Sequence, residues 1–212
     1  MAVEFRLSGG TGNSNPNGSL GGQMSNTSIT TDTLENLFDN IRRNEALVGR
    51  TEYRCIYIFN TGGGHISSAT IEITTNPTIS IASIGLDPAG KGDGVNTGIA
   101  TTITTEDQTP SGPKFFGEDI LSADGPFDTV ILPLGLLKSG EGVAVWLKRV
   151  TEQGAQQVVT FNLVVTHDAV TLPGEDFDDG GAIGELIQIT KQTTGTFKIG
   201  TARIGFSDIA SN

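Results

Sequence analysis

Short runs in which apolar and polar residues alternate dominate the sequence from residue 53 onwards. Residues 68–74 carry Ala or Ile at every second position, which is typical of a strand with one buried side. Residues 53–59 are apolar on both sides apart from Arg54, as expected for a central strand. Further runs cover residues 79–84, 101–105, 129–136, 143–149 and 158–165. Because no helical pattern separates these runs, the sequence predicts an all-β chain folded as an antiparallel β-sandwich.

The composition agrees with many turns between short strands. Gly accounts for 29 of the 212 residues, roughly twice its average share. Charged residues make up 17% of the chain, below the usual ~25%, which disfavours coiled coils and helical bundles. Thirteen Lys and Arg against 24 Asp and Glu give a net charge of −11. We therefore expect neither nucleic acid nor a membrane surface as a partner.

Targeting signals and cysteines add little. The first twenty residues contain no apolar core of signal-peptide length, and no apolar run reaches ~18 residues. These features predict a chain that is made in a cytoplasm and is not inserted in a membrane. Cys55 is the only cysteine, which excludes an intrachain disulfide and a multi-cysteine metal site.

Residues 1–30 look like an extended arm. Residues 8–22 are almost entirely Gly, Ser and Asn, so alone they cannot bury enough apolar area to offset their backbone entropy. Ahead of them, Val3, Phe5 and Leu7 alternate with polar residues, a short strand signal. Two interpretations stay open: a strand added to a neighbouring subunit, with Leu20 as a further contact, or a strand of the chain's own sheet. Under the first, deletion of residues 1–30 leaves the sandwich folded.

One helix is predicted, over residues 33–43. Asp32 can cap its first turn together with Glu35. Its apolar stripe consists of Leu34, Leu37, Phe38 and Ile41. The stripe is expected to pack on the chain's own sheet or on a neighbouring subunit.

The tail beyond His167 is predicted to be a small β extension. Residues 172–181 look like a linker, and residues 185–190 alternate again. Residues 196–206 look like a hairpin that turns at Gly200-Thr201. The tail forms a separate small lobe or adds strands to the main sheet. The predicted regions are therefore an arm (1–30), a helix plus sandwich (31–168) and a linker with a β extension (169–212).

Catalytic patterns are missing from the sequence. His65 and His167 fall in predicted loops without the local context of a known nucleophile or zinc motif. Cys55 lies within the most apolar strand, where a thiol packs as a small hydrophobic group. We therefore predict that the chain is not an enzyme.

Cofactor and sugar sites also lack support. The acidic residues Glu175, Asp176, Asp178 and Asp179 do not have the spacing of an EF-hand, and we interpret them as a solvated linker. Asp87, Asp93 and Asn96 are explained by turn formation. Tyr53, Tyr57 and Trp146 are the residues that a sugar-stacking platform would use, but Trp146 alternates within a strand and is expected to pack partly buried. No metal and no cofactor are predicted.

Four short motifs resemble a group of tailed-bacteriophage virion proteins. These proteins have a Gly/Ser-rich start ending in Leu-Gly-Gly, a helix containing Leu-Phe-Asp, a Glu-Tyr-Arg-Cys strand and a Trp followed by basic residues. The matching residues here are Leu20-Gly21-Gly22, Leu37-Phe38-Asp39, Glu52 to Cys55, and Trp146 to Arg149. The likeness covers residues 1–168.

The resemblance implies a structural virion component with an immunoglobulin-like β-sandwich and no catalysis. It would be assembled in the host cytoplasm, form homo-oligomers in the particle and bind other virion proteins, with capsid decoration favoured over neck, tail or baseplate. A receptor- or carbohydrate-binding sandwich is the alternative. The residues expected to contact partners are Val3, Phe5, Leu7, Leu20, Leu37, Phe38, Ile41 and Trp146.

Overall fold

The alternating runs form two antiparallel sheets in the computed structural model. The structure describes residues 3–30, 35–75, 80–91, 98–113, 115–116, 130–153, 159–170 and 191–202. Its strands are β1 (Val3–Ser8), β2 (Met24–Ser28), β3 (Arg50–Asn60), β4 (His65–Thr75), β5 (Ser80–Lys91), β6 (Phe115–Phe116), β7 (Val130–Leu137), β8 (Gly142–Thr151), β9 (Val159–Val170) and β10 (Lys191–Ala202). The prediction of an all-β chain with two packed sheets is thereby confirmed.

The two sheets differ in size. The first has six strands in the order β2-β1-β3-β8-β5-β6, and the second has four in the order β10-β9-β4-β7. The inner faces bury one hydrophobic core against each other. On β3 and β8 the core side chains are Ile56, Ile58, Val143, Val145 and Leu147, and on β4, β7 and β9 they include Ile66, Ile71, Leu132, Leu134, Leu163 and Val165.

The first thirty residues belong to the sandwich, so the expectation of an extended arm is wrong for residues 3–30. β1 pairs with β3 over five consecutive positions, from Val3 opposite Asn60 to Leu7 opposite Ile56. Phe5 and Leu7 are buried in the core between the sheets. The alternative interpretation, a strand of the chain's own sheet, is the one found. Deleting residues 1–30 would remove part of the core, so the deletion is not expected to leave the sandwich intact.

Polar side chains order the Gly/Ser/Asn-rich stretch that follows β1. The buried Ser19 hydroxyl accepts the Ser8 N–H at 3.1 Å, and the Ser8 hydroxyl accepts the Gly21 N–H at 3.0 Å. Asn13 donates its side-chain amide to the Ser8 carbonyl at 2.6 Å. Such side-chain bonds to backbone are the usual means of fixing a loop of this composition. Composition alone therefore misjudged residues 8–22.

The predicted helix over residues 33–43 is also wrong for its described part. Residues 35–42 are irregular, and the helix present is α1 (Arg43–Val48). Glu35 has a φ of 58°, in the left-handed region that a right-handed helix excludes. Leu37 and Phe38 are both fully buried in the core. Burial of two consecutive side chains outweighed the helical spacing.

Two weaker predictions fail as well. Residues 101–105 form no strand. β10 runs straight through Gly200-Thr201 and pairs with β9, so no hairpin turns there. The tail strand thus adds to the four-stranded sheet. No helix among the described residues has the length and apolar character needed to cross a membrane.

Candidate functional site

The outer face of the six-stranded sheet carries both tyrosines, the tryptophan and the cysteine of the chain. Tyr53, Cys55 and Tyr57 of β3 and Ala144 and Trp146 of β8 point away from the sandwich core and form a second buried cluster. Two irregular segments, residues 9–23 and 98–113, cover them and are called the cover below. Leu20, Ala100 and Ile103 are the apolar side chains that the cover contributes.

The two segments of the cover are hydrogen-bonded to each other. Gly22 and Ala100 exchange N–H and carbonyl bonds of 3.1 and 3.2 Å, and Ile103 donates to the Leu20 carbonyl at 2.9 Å. Gly21 has a φ of 91°, and a Cβ there would lie 1.8 Å from the Thr101 carbonyl oxygen. Only Gly allows the two segments to approach this closely.

Tyr57 fastens the cover to the sheet. Its Oη lies 2.6 Å from the Gly22 carbonyl and 2.9 Å from the Gly98 carbonyl, and it accepts the Ala100 N–H at 3.0 Å. Burial raises the pKa of the phenol above its ordinary value. The hydroxyl therefore stays protonated and acts as a structural donor and acceptor.

Asp87 is a second attachment point. Its buried carboxylate accepts the Trp146 Nε1–H at 2.9 Å and the Thr101 N–H at 2.8 Å on Oδ2. Oδ1 accepts the N–H groups of Ala89 and Gly90 at 2.9 and 3.1 Å. Four donors compensate the buried charge, as burial of a carboxylate requires. The sequence interpretation of Asp87 as a turn residue is wrong, because Asp87 lies within β5, where the pairing with β8 is irregular between Leu86 and Lys91. Its carboxylate holds Trp146 and the cover.

Cys55 and the histidines do not meet. Cys55 is fully buried on the covered face, and burial raises the pKa of its thiol far above its ordinary value. His65 begins β4 and His167 lies within β9, both strands of the other sheet. The prediction that both histidines lie in loops is therefore wrong. No Cys–His pair is assembled among these three residues.

A cluster of charged side chains lies at the end of the β3–β8 pair. The arginine cluster, as it is called below, consists of Arg50, Arg54 and Arg149 with the carboxylates of Asp39, Glu45, Glu52 and Glu106. Arg149 pairs with Glu52 through Nε at 2.8 Å and also through Nη2. Arg54 Nη2 contacts Glu106 at 2.5 Å and Asn17 Oδ1 at 3.0 Å. The cluster therefore joins both cover segments to the sheet.

The ring of Phe38 lies close to two guanidinium groups. The Arg149 and Arg54 guanidinium carbons are 4.6 and 5.4 Å from the centre of its ring. Both arginine side chains are fully buried, and Arg54 Nε and Arg149 Nη1 have no hydrogen-bond partner. The ring face supplies partial compensation for these groups through cation–π attraction. Phe38 thus connects the core to the arginine cluster.

Three carboxylates of the cluster are close enough together to be considered as metal ligands. Oxygen atoms of Asp39, Glu52 and Glu106 lie within 4.8 Å of one another. Each of the three already contacts at least one guanidinium group. Three fixed positive charges oppose a divalent cation at this point. The chemistry of the donor set therefore fits an ion-pair network better than a metal centre.

Burial dominates the electrostatics of the central pair. Loss of hydration raises the pKa of Glu52 and lowers that of Arg149, with their mutual attraction opposing both shifts. A pair of this kind is held by its geometry, and removal of one partner leaves an uncompensated charge. Both side chains of the Glu52–Arg149 pair are buried, so this pair presents no acid or base at the surface.

The structure places the predicted partner-contact residues inside the chain. Leu7, Leu37, Phe38, Ile41 and Trp146 are at most 2% exposed, so as free contact surface these predictions are wrong. Phe5 is buried, and Val3 and Leu20 are partly buried against the two clusters. Tyr53, Tyr57 and Trp146 lie under the cover, which contradicts a sugar platform. The acidic residues at 175–179, and Asp93 and Asn96, lie outside the described residues.

The arginine cluster was not predicted from the sequence. Arg54 interrupts an otherwise apolar strand, and this was the available signal: a charge in a central strand needs a buried partner. Glu52 and Arg149, its neighbours in space, stand opposite each other in the β3–β8 register.

No protein-family model matches the chain, and no curated protein matches it. A solved structure described as "AvmM Catalyzes Macrocyclization in Alchivemycin A Biosynthesis" is similar at 15% identity over 76% of this chain and 85% of that chain, with a TM-score of 0.27. A TM-score this low does not establish a shared fold and carries no functional argument.

Proposed function

We propose that the chain is a non-enzymatic structural component of a tailed-bacteriophage virion that binds neighbouring subunits. Decoration of the capsid is the favoured position, with neck, tail or baseplate as the alternative. The finer assignment of the sandwich as immunoglobulin-like belongs to the same proposal.

The observation that carries the proposal is the convergence of the four resemblance motifs. Gly22 accepts the Tyr57 hydroxyl, and Phe38 stacks on Arg54 and Arg149. Trp146 donates to Asp87, and Glu52 pairs with Arg149. At least one residue of each motif therefore belongs to or contacts the cover or the arginine cluster. Motifs that serve rigidity support a structural role.

Burial of the polar groups supports the same reading. Cys55, Arg54 and Arg149 are fully buried, and Asp87 is saturated with donors. A reactive centre needs groups that a substrate can reach. The Cys55, Arg54, Arg149 and Asp87 side chains contact other groups inside the chain instead.

Neighbouring subunits would contact other surfaces than the sequence indicated. The most exposed large apolar side chains are Val48 and Leu47 of α1, at 76% and 58%. Ile131 and Leu136 of β7 and Ile99 of the cover are also exposed. Exposed apolar side chains are the first candidates for contacts with a neighbouring subunit.

Mass spectrometry of purified particles, with a map of the particle, tests the proposal. We expect the chain in stoichiometric amounts, on the capsid surface if it is a decoration protein and in the neck or tail if not. Absence of the chain from purified particles would refute the proposal.

Interface variants refine the test. Leu47→Asp with Val48→Asp should reduce incorporation while the melting temperature of the free chain stays unchanged. Asn44→Asp on the same helix is the matched control, since it adds charge at an exposed polar position.

A further inference from the structure

We infer that the cover, residues 9–23 and 98–113, is a lid that opens as a unit while the sandwich stays folded. This goes beyond the proposed function and does not depend on it. The inference rests on how differently the cover and the sheets are held.

The cover lacks the continuous ladders of the sheets. Its regular structure is one three-residue 3₁₀ turn (Pro16–Gly18) and the isolated pair of bonds between Gly22 and Ala100. By contrast, β3 and β8 pair over ten consecutive positions from Arg50 to Phe59. Segments with few ladder bonds open at lower free energy than the sheets they contact.

The two segments of the cover are coupled. Besides the Gly22–Ala100 bonds, Ile103 donates to Leu20, and Arg54 binds Asn17 of one segment and Glu106 of the other. Displacement of one segment therefore breaks contacts of the other. This coupling predicts opening in a single step.

Hydrogen bonds at three places close the lid. Beside β1, Ser8 bonds to Ser19 and Gly21. The other two sets lie at the ends of the lid. At one end the Tyr57 hydroxyl and the Asp87 carboxylate hold Ala100 and Thr101. At the other end Arg54 holds Glu106, and the Tyr53 hydroxyl lies 3.1 Å from Thr109 Oγ1. The apolar contribution of the cover is limited to a few side chains.

Opening would uncover a defined surface. The rings of Tyr53, Tyr57 and Trp146 and the thiol of Cys55 lie beneath the cover. The N–H groups of Tyr53 and Cys55 now donate to the Glu106 and Ser19 carbonyls at 2.7 and 2.8 Å. Release of the lid would leave these two strand donors free at the part of β3 that β1 does not reach.

Cys55 makes the opening measurable. It is the only thiol of the chain and is fully buried beneath the lid. An aromatic disulfide reagent reacts with the exposed thiolate to give a mixed disulfide and one coloured thiolate per event. We would measure this rate in the full chain over a urea series, with global unfolding followed by far-UV circular dichroism.

The urea dependence decides between lid opening and global unfolding. The labelling rates give a free energy of opening, and global unfolding gives a free energy of unfolding. If the lid opens by itself, the first should decrease with urea at less than about half the slope of the second, because less surface is exposed. Equal slopes and equal free energies would overturn the inference, since Cys55 would then be reached only in the unfolded chain.

A hydroxyl deletion provides the second measurement. Tyr57→Phe should raise the labelling rate about tenfold with an unchanged sandwich spectrum. Ser139→Ala, which removes a hydroxyl bonded to the Gly62 carbonyl outside the cover, is the matched control and should change nothing. If Tyr57→Phe does not fold, Thr109→Val tests the other end of the lid, with a smaller rise expected. An unchanged rate in the folded variant would overturn the inference.

Discussion

The two outer faces of the sandwich differ in their side chains and in their exposure to solvent. The outer face of the six-stranded sheet is aromatic and lies beneath the cover. The outer face of the four-stranded sheet carries Thr70, Glu72 and Thr166, all partly exposed, and Ile131, which is 52% exposed. The difference is visible in the strands themselves, because residues 53–59 are apolar on both sides and residues 68–74 alternate. A strand without alternation in an antiparallel sheet indicates a third layer.

The largest expected effect comes from Trp146, at the centre of the covered face. Trp146→Ala should cost about 3–5 kcal/mol in the free energy of unfolding, since it removes a fully buried ring and leaves a cavity. Ile131→Ala on the exposed face should cost less than about 1 kcal/mol. Urea unfolding followed by far-UV circular dichroism measures both. Similar losses would abolish the distinction between the faces.

The free energy of unfolding should depend on both partners of the buried Glu52–Arg149 pair, which lies beside the covered face. Arg149→Met should cost about 3 kcal/mol, because the buried Glu52 loses two hydrogen bonds and keeps only its 3.0 Å ion pair with Arg50. Adding Glu52→Leu to the same chain should recover most of the loss. A double mutant less stable than either single variant would show that the pair contributes net stability.

Gly21 tests whether the cover depends on close backbone approach. Gly21→Ala should cost more than about 1 kcal/mol, because φ is 91° and the added Cβ would meet the Thr101 carbonyl. Gly12→Ala is the matched control, since a Cβ there has no heavy atom within 4 Å. Thermal melting of the two variants checks the prediction. Equal melting temperatures would contradict it.

The smallest expected effect is on the pH dependence of stability. The covered face contains neither histidine, so this effect comes from the other sheet. Burial lowers the pKa of His167 below its ordinary value of about 6.5. The unfolded chain therefore binds the proton more readily, and this contribution to stability is lost as the pH falls below about 6.5. His167→Gln should reduce the fall in the urea midpoint between pH 7.5 and 5.5. An equal fall in both proteins would contradict the assignment.

Strands were predictable from the sequence because their signal is local. The alternation in residues 68–74 and the apolar run of residues 53–59 lie within β4 and β3 of the structure. The helix predicted from the apolar stripe around Leu37 is not found, because the same spacing also fits an irregular segment that buries two neighbouring side chains. Packing in the core determines which of the two forms. The covering role of residues 9–23 depends on Tyr57 and Thr101, which are far away in the sequence. No local pattern in a Gly/Ser/Asn stretch contains that information.

The pairing of β3 with β8 has a consequence for biosynthesis. Glu52 and Arg149 are 97 residues apart in the sequence, yet they stand side by side on the two central strands of the six-stranded sheet. During translation β1, β2 and β3 leave the ribosome long before β8 is synthesised. The six-stranded sheet therefore cannot form until most of the polypeptide has left the ribosome. Folding dominated by such distant pairings is slow, and the waiting strands would expose their apolar residues to chaperones in the meantime.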